Sequence, residues 1–309
     1  MTFTHILPQG EPQIEKSRRY YVSTFSNDHK YLLPADEEER ERLNNQSQGI
    51  IQIFDNKLIW APVSLKDEDI VLDSGTGSGH WLLSLAKERD IYNKIPSVYL
   101  RGIDISSRMF PPPSLTPSNT TFSIDSITSL PMSWSNTISL IHQRLLMAAL
   151  QAPQWHSALS EMYRVLAPGG WIQLFEGHHL FDSPSEAVTH HKAFQIRDKL
   201  CFETRNVIID ITKHLPEWIE QAGFVNLKIE KRGMPMGASW ADESSVVGAK
   251  AVNGFWNGIK GPVMKEGGFG IVSSEEEYDT IVRDILRLCE ETPGTYWPIL
   301  VFTAQKPEI

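Results

Sequence analysis

The stretch Val71–Glu88, VLDSGTGSGHWLLSLAKE, decides the fold. A short apolar run ends at Asp73, glycine stands at Gly75, Gly77 and Gly79, and Trp81, Leu82, Leu85 and Ala86 follow at helical spacing. Glycine is the costliest residue to order, so alternate glycines require either a special backbone turn or something pressed against the loop. A buried strand passing through a glycine turn into a helix is the opening unit of a parallel α/β sheet. The helix's free N–H groups and positive dipole end then face the crevice at the strand's carboxyl end, the place for a flat or negatively charged ligand.

The same alternation continues outward. VYLRGIDIS, TTFSID, TISLIH and WIQLFE read as four further strands, each ending in a polar or charged residue. A helix is expected over 157–166, stopped by APGG. This rhythm implies a parallel sheet with right-handed crossovers and helices on both faces. Upstream, a polar arm precedes a helix capped by Asp36, with Glu37, Glu38 and Glu39 in its first turn. Its inner side carries Leu43, Ser47, Ile50, Ile51 and Phe54. Downstream, 183–222 reads as mainly helical. FVNLKIEKRG and YWPILVFTAQ are two more strands, flanking a Gly-rich stretch and a periodic helix on Tyr278, Ile281, Val282, Ile285 and Leu288.

The chain has 309 residues, 41% hydrophobic and 22% charged, with a net charge of −9. That suits a globular protein with a real core, and gives no positive field to gather nucleic acid or anionic lipid. Two distant cysteines, Cys201 and Cys289, form no disulfide framework and fit a reducing compartment. No apolar run approaches the roughly 20 residues that span a bilayer. The N-terminus lacks a secretory pattern, so a cytoplasmic protein is expected, with the nucleus left open.

What sits on the glycine turn follows from spacing and charge. The loop alone admits a dinucleotide, a mononucleotide or S-adenosylmethionine (SAM). A dinucleotide fingerprint is G-x-G-x-x-G, whereas the spacing here is G-x-G-x-G, and Gly-Lys-Ser/Thr is missing. Asp73, two residues before Gly75, suits a cationic α-amino group and repels a pyrophosphate. Asp104 ends the second strand, where a carboxylate receives ribose hydroxyls. Asp125-Ser126 ends the third, suited to an adenine amino group. One acidic residue at each of three strand ends points to SAM. The cofactor contacts expected are Asp73, Gly75, Thr76, Gly77, Gly79, Asp104, Ile105, Asp125, Ser126 and His142.

From Asp69 to Glu176, LDSGTGSG, GIDIS, FSID and EMYRVLAPGGWIQLFE resemble the class I SAM-dependent methyltransferases. YLLPADEEERERLNNQ, GIDISSRMFPPP, LIHQRLLMAAL and YWPILVFTAQKP resemble the fungal LaeA-like members over nearly the whole chain. Ser126 and Ser139 depart from that pattern, standing where acidic residues are usual. The resemblance implies a Rossmann-like seven-stranded sheet, mostly parallel, whose last strand is inserted antiparallel. It implies one methyltransferase domain over 1–309: an arm and lid helix in 1–60, a SAM-binding core in 61–180, and C-terminal strands with helical lid inserts in 181–309.

SAM's methyl is already activated, so such an enzyme chiefly orients a nucleophile, and a general base is optional. His142, ending the fourth strand, is the candidate base, or else a hydrogen-bonding partner of SAM or backbone. Arg144 and Gln143 follow it towards the pocket floor. Glu176, ending the fifth strand, either orients substrate or caps the loop that follows it. Tyr20 and Tyr31 in the arm, with Glu176, Trp240 and Trp256, are the candidate substrate contacts. Neighbouring histidines (His178-His179, His190-His191) point apart and have no cysteine helper, so no metal is expected. Trp240, Phe255, Trp256 and Phe269 among late glycines suit a lid over a small apolar or aromatic substrate. A methyltransferase forming S-adenosylhomocysteine is therefore expected. A LaeA-like regulator working through protein partners is the alternative, and a homodimer is left open.

Overall fold

The computed structural model describes residues 33–34, 36–92, 97–241 and 243–308. Tyr20 and Tyr31, with the rest of the arm before residue 33, lie outside the described residues. The strands are β1 (Ile70–Ser74), β2 (Tyr99–Asp104), β3 (Thr120–Ile124), β4 (Ile138–Arg144), β5 (Leu166–Gly177), β6 (Val225–Pro235) and β7 (Tyr296–Gln305). They form one sheet in the order β3-β2-β1-β4-β5-β7-β6. Pairing is parallel from β3 through β5, and β7 runs antiparallel to both β5 and β6. Strand order therefore reverses between β1 and β4, opening a crevice at their carboxyl ends.

Helix α1 (Glu37–Ile53) starts where its sequence says, with the Asp36 side chain accepting from Glu39 N at 2.9 Å. Helix α2 (His80–Tyr92) buries Trp81, Leu82, Leu85 and Ala86 against one sheet face. On the other face lie α3 (Ala152–Val165) and α6 (Ile211–Gln221), whose Trp155, Leu159, Met162, Leu215 and Ile219 join Ile141, Ile172 and Leu174 in the largest core. A separate core joins α4 (Glu186–Thr189), α5 (Lys192–Arg205), α7 (Glu243–Lys265) and α8 (Glu275–Glu291) into a cap beside the sheet.

Three details differ from the sequence expectation. Helix α3 begins five residues before 157, because Pro153 near its start tolerates the missing N–H and Gln151 with Gln154 forms a capping box. APGG does not separate helix from strand: β5 starts at Leu166, and its ladder with β4 skips from Ile138↔Leu166 to Leu140↔Trp171, so the intervening residues bulge out. The Gly-rich stretch after 241, read without secondary structure of its own, forms the 23-residue helix α7. Glycine costs about 1 kcal/mol in a helix interior relative to alanine. Here packing overrides that cost: a Cβ on Gly254 would lie 2.6 Å from Arg42 Cγ of α1, and one on Gly258 2.8 Å from Leu33 Cδ2.

Candidate functional site

The crevice at the β1/β4 switch is the mouth of a cavity of about 390 Å³ that runs from the glycine loop into the cap. Gly75, Gly77 and Gly79 have φ of 65°, 52° and 72°, a region that glycine enters without steric cost. A Cβ on Gly75 would meet Leu146 Cδ2 at 2.8 Å, and one on Gly79 would meet Phe122 Cζ at 2.8 Å. Those two are therefore bare largely because the protein's own side chains press on them. Gly77 meets only Leu43 Cδ1, at 3.3 Å, and lines the cavity. Gly79 does not reach it.

The acidic strand ends converge as expected. Asp73 lines the cavity, and its Oδ2 accepts from Thr76 Oγ1 at 2.6 Å. Burial pushes its carboxyl up to about 7, against the Thr76 hydrogen bond and the Arg144 charge. Asp104 Oδ2 accepts from Gly77 N at 3.0 Å and Oδ1 from Ser106 N at 3.2 Å, so this carboxylate also holds the glycine loop to the β2 end. Burial raises its pKa too. Asp125 accepts from Ser123 Oγ at 2.6 Å, and Ser126 Oγ lies 2.8 Å from Thr128 Oγ1. Ile105, Asp125 and Ser126 line the cavity with Asp104.

Helix α1 closes this lobe from above. Arg42 and Glu39 form a buried pair at 2.7–2.8 Å on the cavity wall. Ser47 Oγ accepts from Arg144 Nη1 at 2.9 Å and lies 2.8 Å from His80 Nδ1. Arginine can only donate, so Ser47 accepts there and its hydroxyl proton is available to the His80 Nδ1 beside it. Burial first, then the charges of Arg144 and Lys87, holds His80 down to about 4, which keeps its ring neutral.

Beyond the loop, the cavity enters an aromatic lobe with Phe181, Phe194, Phe255, Trp256 and Trp297 on its walls. His178 faces it from just past β5. Side chains alternate along a strand, so His178 shares Glu176's side and continues it outwards. Its carbonyl accepts from Trp297 Nε1 at 3.0 Å, its N–H donates to Pro298 O at 2.8 Å, and Nδ1 lies 3.2 Å from Leu180 O and 3.3 Å from Leu180 N. Cys201 also lines the lobe, its thiol pushed up to about 11 by burial.

Six expected residues, Gly79, His142, Gln143, Glu176, Trp240 and Phe269, are not among those lining the cavity. His142 is 2% exposed, stacked on Trp81 with ring centroids 3.9 Å apart. Gln173 Oε1 accepts from Trp60 N and Ala61 N, which fixes its amide; Nε2 then donates to Leu58 O and to His142 Nδ1 at 2.9 Å. The imidazole proton is thus on Nε2, and burial holds the pKa well below 6.5. Both features make His142 a core histidine with no lone pair free to act as a base. Glu176, fully buried, receives Leu146 N and Met147 N at 3.0 Å each. It caps the loop after β4, not the loop that follows its own strand, so neither expected role describes it. Trp240 gives its Nε1–H to Cys289 O at 3.1 Å and packs on Tyr296, away from the cavity. Trp256 does line it.

The comparisons with known proteins agree with this geometry. The family described as "Methyltransferase domain" matches residues 71–170. N-methyltransferase tcpN of Claviceps purpurea is 30% identical over 276 residues, covering 84% of this chain and 91% of its own. The chain belongs to the class I SAM-dependent methyltransferases. N-methyltransferase sirN of Leptosphaeria maculans is 41% identical to this methyltransferase over 155 residues, about half of either chain (50% and 51%). In fold, the YcgJ protein of Bacillus subtilis superposes with a TM-score of 0.50 at 15% identity, covering 85% of this chain and all of that one.

Sequence reasoning missed Ser47 and Trp297 as site residues of this methyltransferase, and weighed His178 only as a metal ligand. Period-two alternation from Glu176 would have found His178. Among the described residues no group of three His, Cys, Asp or Glu is placed to hold a metal ion, and no helix is long and apolar enough to cross a membrane.

Proposed function

We propose that this methyltransferase moves the methyl group of SAM onto a nitrogen atom of a small, largely aromatic or apolar fungal metabolite. The observation that carries the reading is the continuity of the cavity: one end is the acidic, glycine-turned lobe, the other an aromatic pocket under the cap. Its 390 Å³ lies within the roughly 300–1,000 Å³ of small-molecule sites. The names of tcpN and sirN favour nitrogen as the acceptor, and an enzyme over the LaeA-like regulator.

The residues present fit the cofactor. Asp73 has an oxygen free for an ammonium group, Asp104 retains acceptor capacity for a ribose diol, and Asp125-Ser126 sits at the next strand end for the base. When bound, SAM would supply an activated methyl whose carbon accepts the substrate's lone pair while the carbon–sulfur bond breaks and S-adenosylhomocysteine is released. The chain's own contribution is orientation, exclusion of water by α1 and the cap helices, and removal of a proton. Among the described side chains of the aromatic lobe, His178 is the one suited to take that proton. Glu39 is committed to Arg42, and the Cys201 thiol is already protonated at neutral pH. Nδ1 lies 3.2 Å from Leu180 O and accepts from Leu180 N at 3.3 Å; the tautomer that serves as a base is the one that gives up the Leu180 N–H bond and donates Nδ1–H to Leu180 O, which leaves Nε2 its lone pair.

The test is calorimetric titration with S-adenosylhomocysteine, followed by label transfer from methyl-labelled SAM into a fungal small-molecule extract, with mass spectrometry of the product. Binding of the nucleoside and a label found on nitrogen are expected. Tight NAD binding without nucleoside binding, or label found solely on oxygen or sulfur, would defeat the proposal.

A further inference from the structure

The face of α5 turned to the cavity changes character along its length. Phe194, Arg197, Cys201, Thr204 and Arg205 recur at helical spacing, and all line the cavity. The two arginines of this stripe differ in what they hold. Arg197 lies over the Phe194 ring at 4.9 Å, gives Nε to Asp198 Oδ1 at 2.8 Å and gives Nη1 to His179 O. Arg205, the last residue of the helix, donates no side-chain hydrogen bond and forms no ion pair among the described residues. Its carbonyl accepts from Gln151 Nε2 at 2.8 Å, which pins the end of α5 beside the N-cap of α3, itself on the cavity wall.

A guanidinium at a helix C-terminus complements the dipole there, but a fully solvated arginine does that equally well. Arg205 is half-buried instead, and burial lowers its pKa against the charges of Cys201 and Glu266, neither of which it bonds. Solvation lost from this cation is not replaced by a partner. The acids lining the cavity are Glu39, Asp73, Asp104 and Asp125, all in the glycine-loop lobe. The aromatic lobe thus presents a positive charge and no carboxylate among its described lining residues. One free guanidinium suits a planar, singly charged group that takes two parallel N–H bonds. A phosphate dianion calls for a second free cation, and Arg197 is already committed.

We infer that the substrate is an aromatic carboxylate, its carboxyl group received by Arg205 at the α5 end of the aromatic lobe and its ring packed among Phe194, Phe255 and Trp256. The inference rests on the reading that SAM occupies the glycine-loop lobe and the substrate the aromatic one. Apolar walls alone hold a flat ring in several orientations; one ion pair at the rim selects among them and so sets which nitrogen meets the methyl group. Arg205 is a specificity-determining residue that touches the substrate and takes no part in bond making.

The test titrates the full chain, saturated with S-adenosylhomocysteine, with three probes of matched shape: phenylacetate, phenylacetamide and phenethylamine, which end in an anion, a neutral amide and a cation. The wild type is expected to bind phenylacetate at least about fivefold more tightly than phenylacetamide, a charged hydrogen-bonded contact discounted for partial exposure, and phenethylamine most weakly. Arg205→Met should abolish the preference for the acid and leave phenylacetamide within about twofold of its wild-type affinity. Arg205→Lys, which keeps the charge and loses the fork, should retain part of the preference, and it keeps the test decisive should the methionine variant fail to fold. Glu266→Gln should keep the preference or enlarge it. S-adenosylhomocysteine affinity should be the same in all three variants. Equal wild-type binding of acid and amide, no binding of any probe, or a preference that persists in full in Arg205→Met and Arg205→Lys would overturn the inference; with the nucleoside still bound, each spares the SAM reading. A preference seen in Glu266→Gln and missing from the wild type would overturn it as well, by showing the guanidinium engaged within the protein. Failure of S-adenosylhomocysteine to bind the wild type would overturn the SAM reading and this inference with it.

Discussion

The indole of Trp297 lies across Gly177: a Cβ there would sit 2.4 Å from Trp297 Cζ2. The same indole lines the aromatic lobe and donates to the carbonyl of His178. Gly177→Ala therefore forces the ring out of its place. Overpacking of this kind costs about 1–3 kcal/mol. The expected outcome is a lower melting temperature and lower turnover, with S-adenosylhomocysteine affinity kept, because the glycine loop is elsewhere. Wild-type stability in Gly177→Ala would mean that the indole has room to move.

His178→Ala removes the proposed proton acceptor and nothing from the glycine-loop lobe. Turnover under saturating SAM should fall by about 10²-fold or more, while the calorimetric affinity for S-adenosylhomocysteine stays at the wild-type value. A pH–rate profile adds a second readout: its shape should change in His178→Gln. A profile of unchanged shape would assign His178 to substrate positioning alone.

The sheet was legible because its strands are short apolar runs ending in polar residues, a pattern set by burial on both faces. That three acids and a glycine turn from neighbouring strand ends line one cavity was legible because each closes an apolar run. His142 was misread for a definite reason. Its strand position resembles that of a ligand-facing residue, but its side chain points to the α2 face, where Trp81 and Gln173 receive it. Position along a strand is written in the sequence; which face lies under which helix is a tertiary fact. The same holds for α7, whose glycines hide the helix until Arg42 and Leu33 are seen against them.

Two buried carboxyls give the ligand-free protein an unusual pH dependence. Burial raises Asp73 from 3.8 to about 7 and Glu176 from 4.5 to about 8. The folded state then holds protons that the unfolded chain has released, so their contribution is full at low pH and lost as pH rises through 7 to 8. Melting temperature should fall as pH rises from about 4 to about 8 and level off above that. Affinity for S-adenosylhomocysteine should move the other way, rising towards neutrality as Asp73 ionises to meet the ammonium. Differential scanning calorimetry across this range checks the first; titrations in matched buffers check the second. A melting temperature that climbs over this interval would contradict both assignments.

His142→Leu separates core from catalysis. The variant leaves the Gln173 amide without its acceptor and the Trp81 ring without its stacking partner. A stability loss of roughly 1–3 kcal/mol is expected from the unpaired donor. Turnover per folded molecule should stay within a few-fold of wild type, in contrast with His178→Ala. A loss of turnover as large as that of His178→Ala, with stability intact, would return His142 to the chemistry.

Gly254→Leu tests whether the α1–α7 seam governs the cavity. The added side chain has no space, since even a Cβ would lie 2.6 Å from Arg42 Cγ. Arg42 is buried with Glu39 on the cavity wall, and α1 also carries Ser47, which holds Arg144. Displacing α1 should therefore reach the cofactor lobe from about one helix diameter away. Cofactor affinity should fall together with stability, whereas Val246→Lys, at an exposed position on the same helix, should alter neither. Hydrogen exchange at α1 gives the direct measure: amides of 43–53 should exchange faster in Gly254→Leu and slower in wild type once S-adenosylhomocysteine is added. Unchanged exchange in both comparisons would uncouple the lid helix from the site.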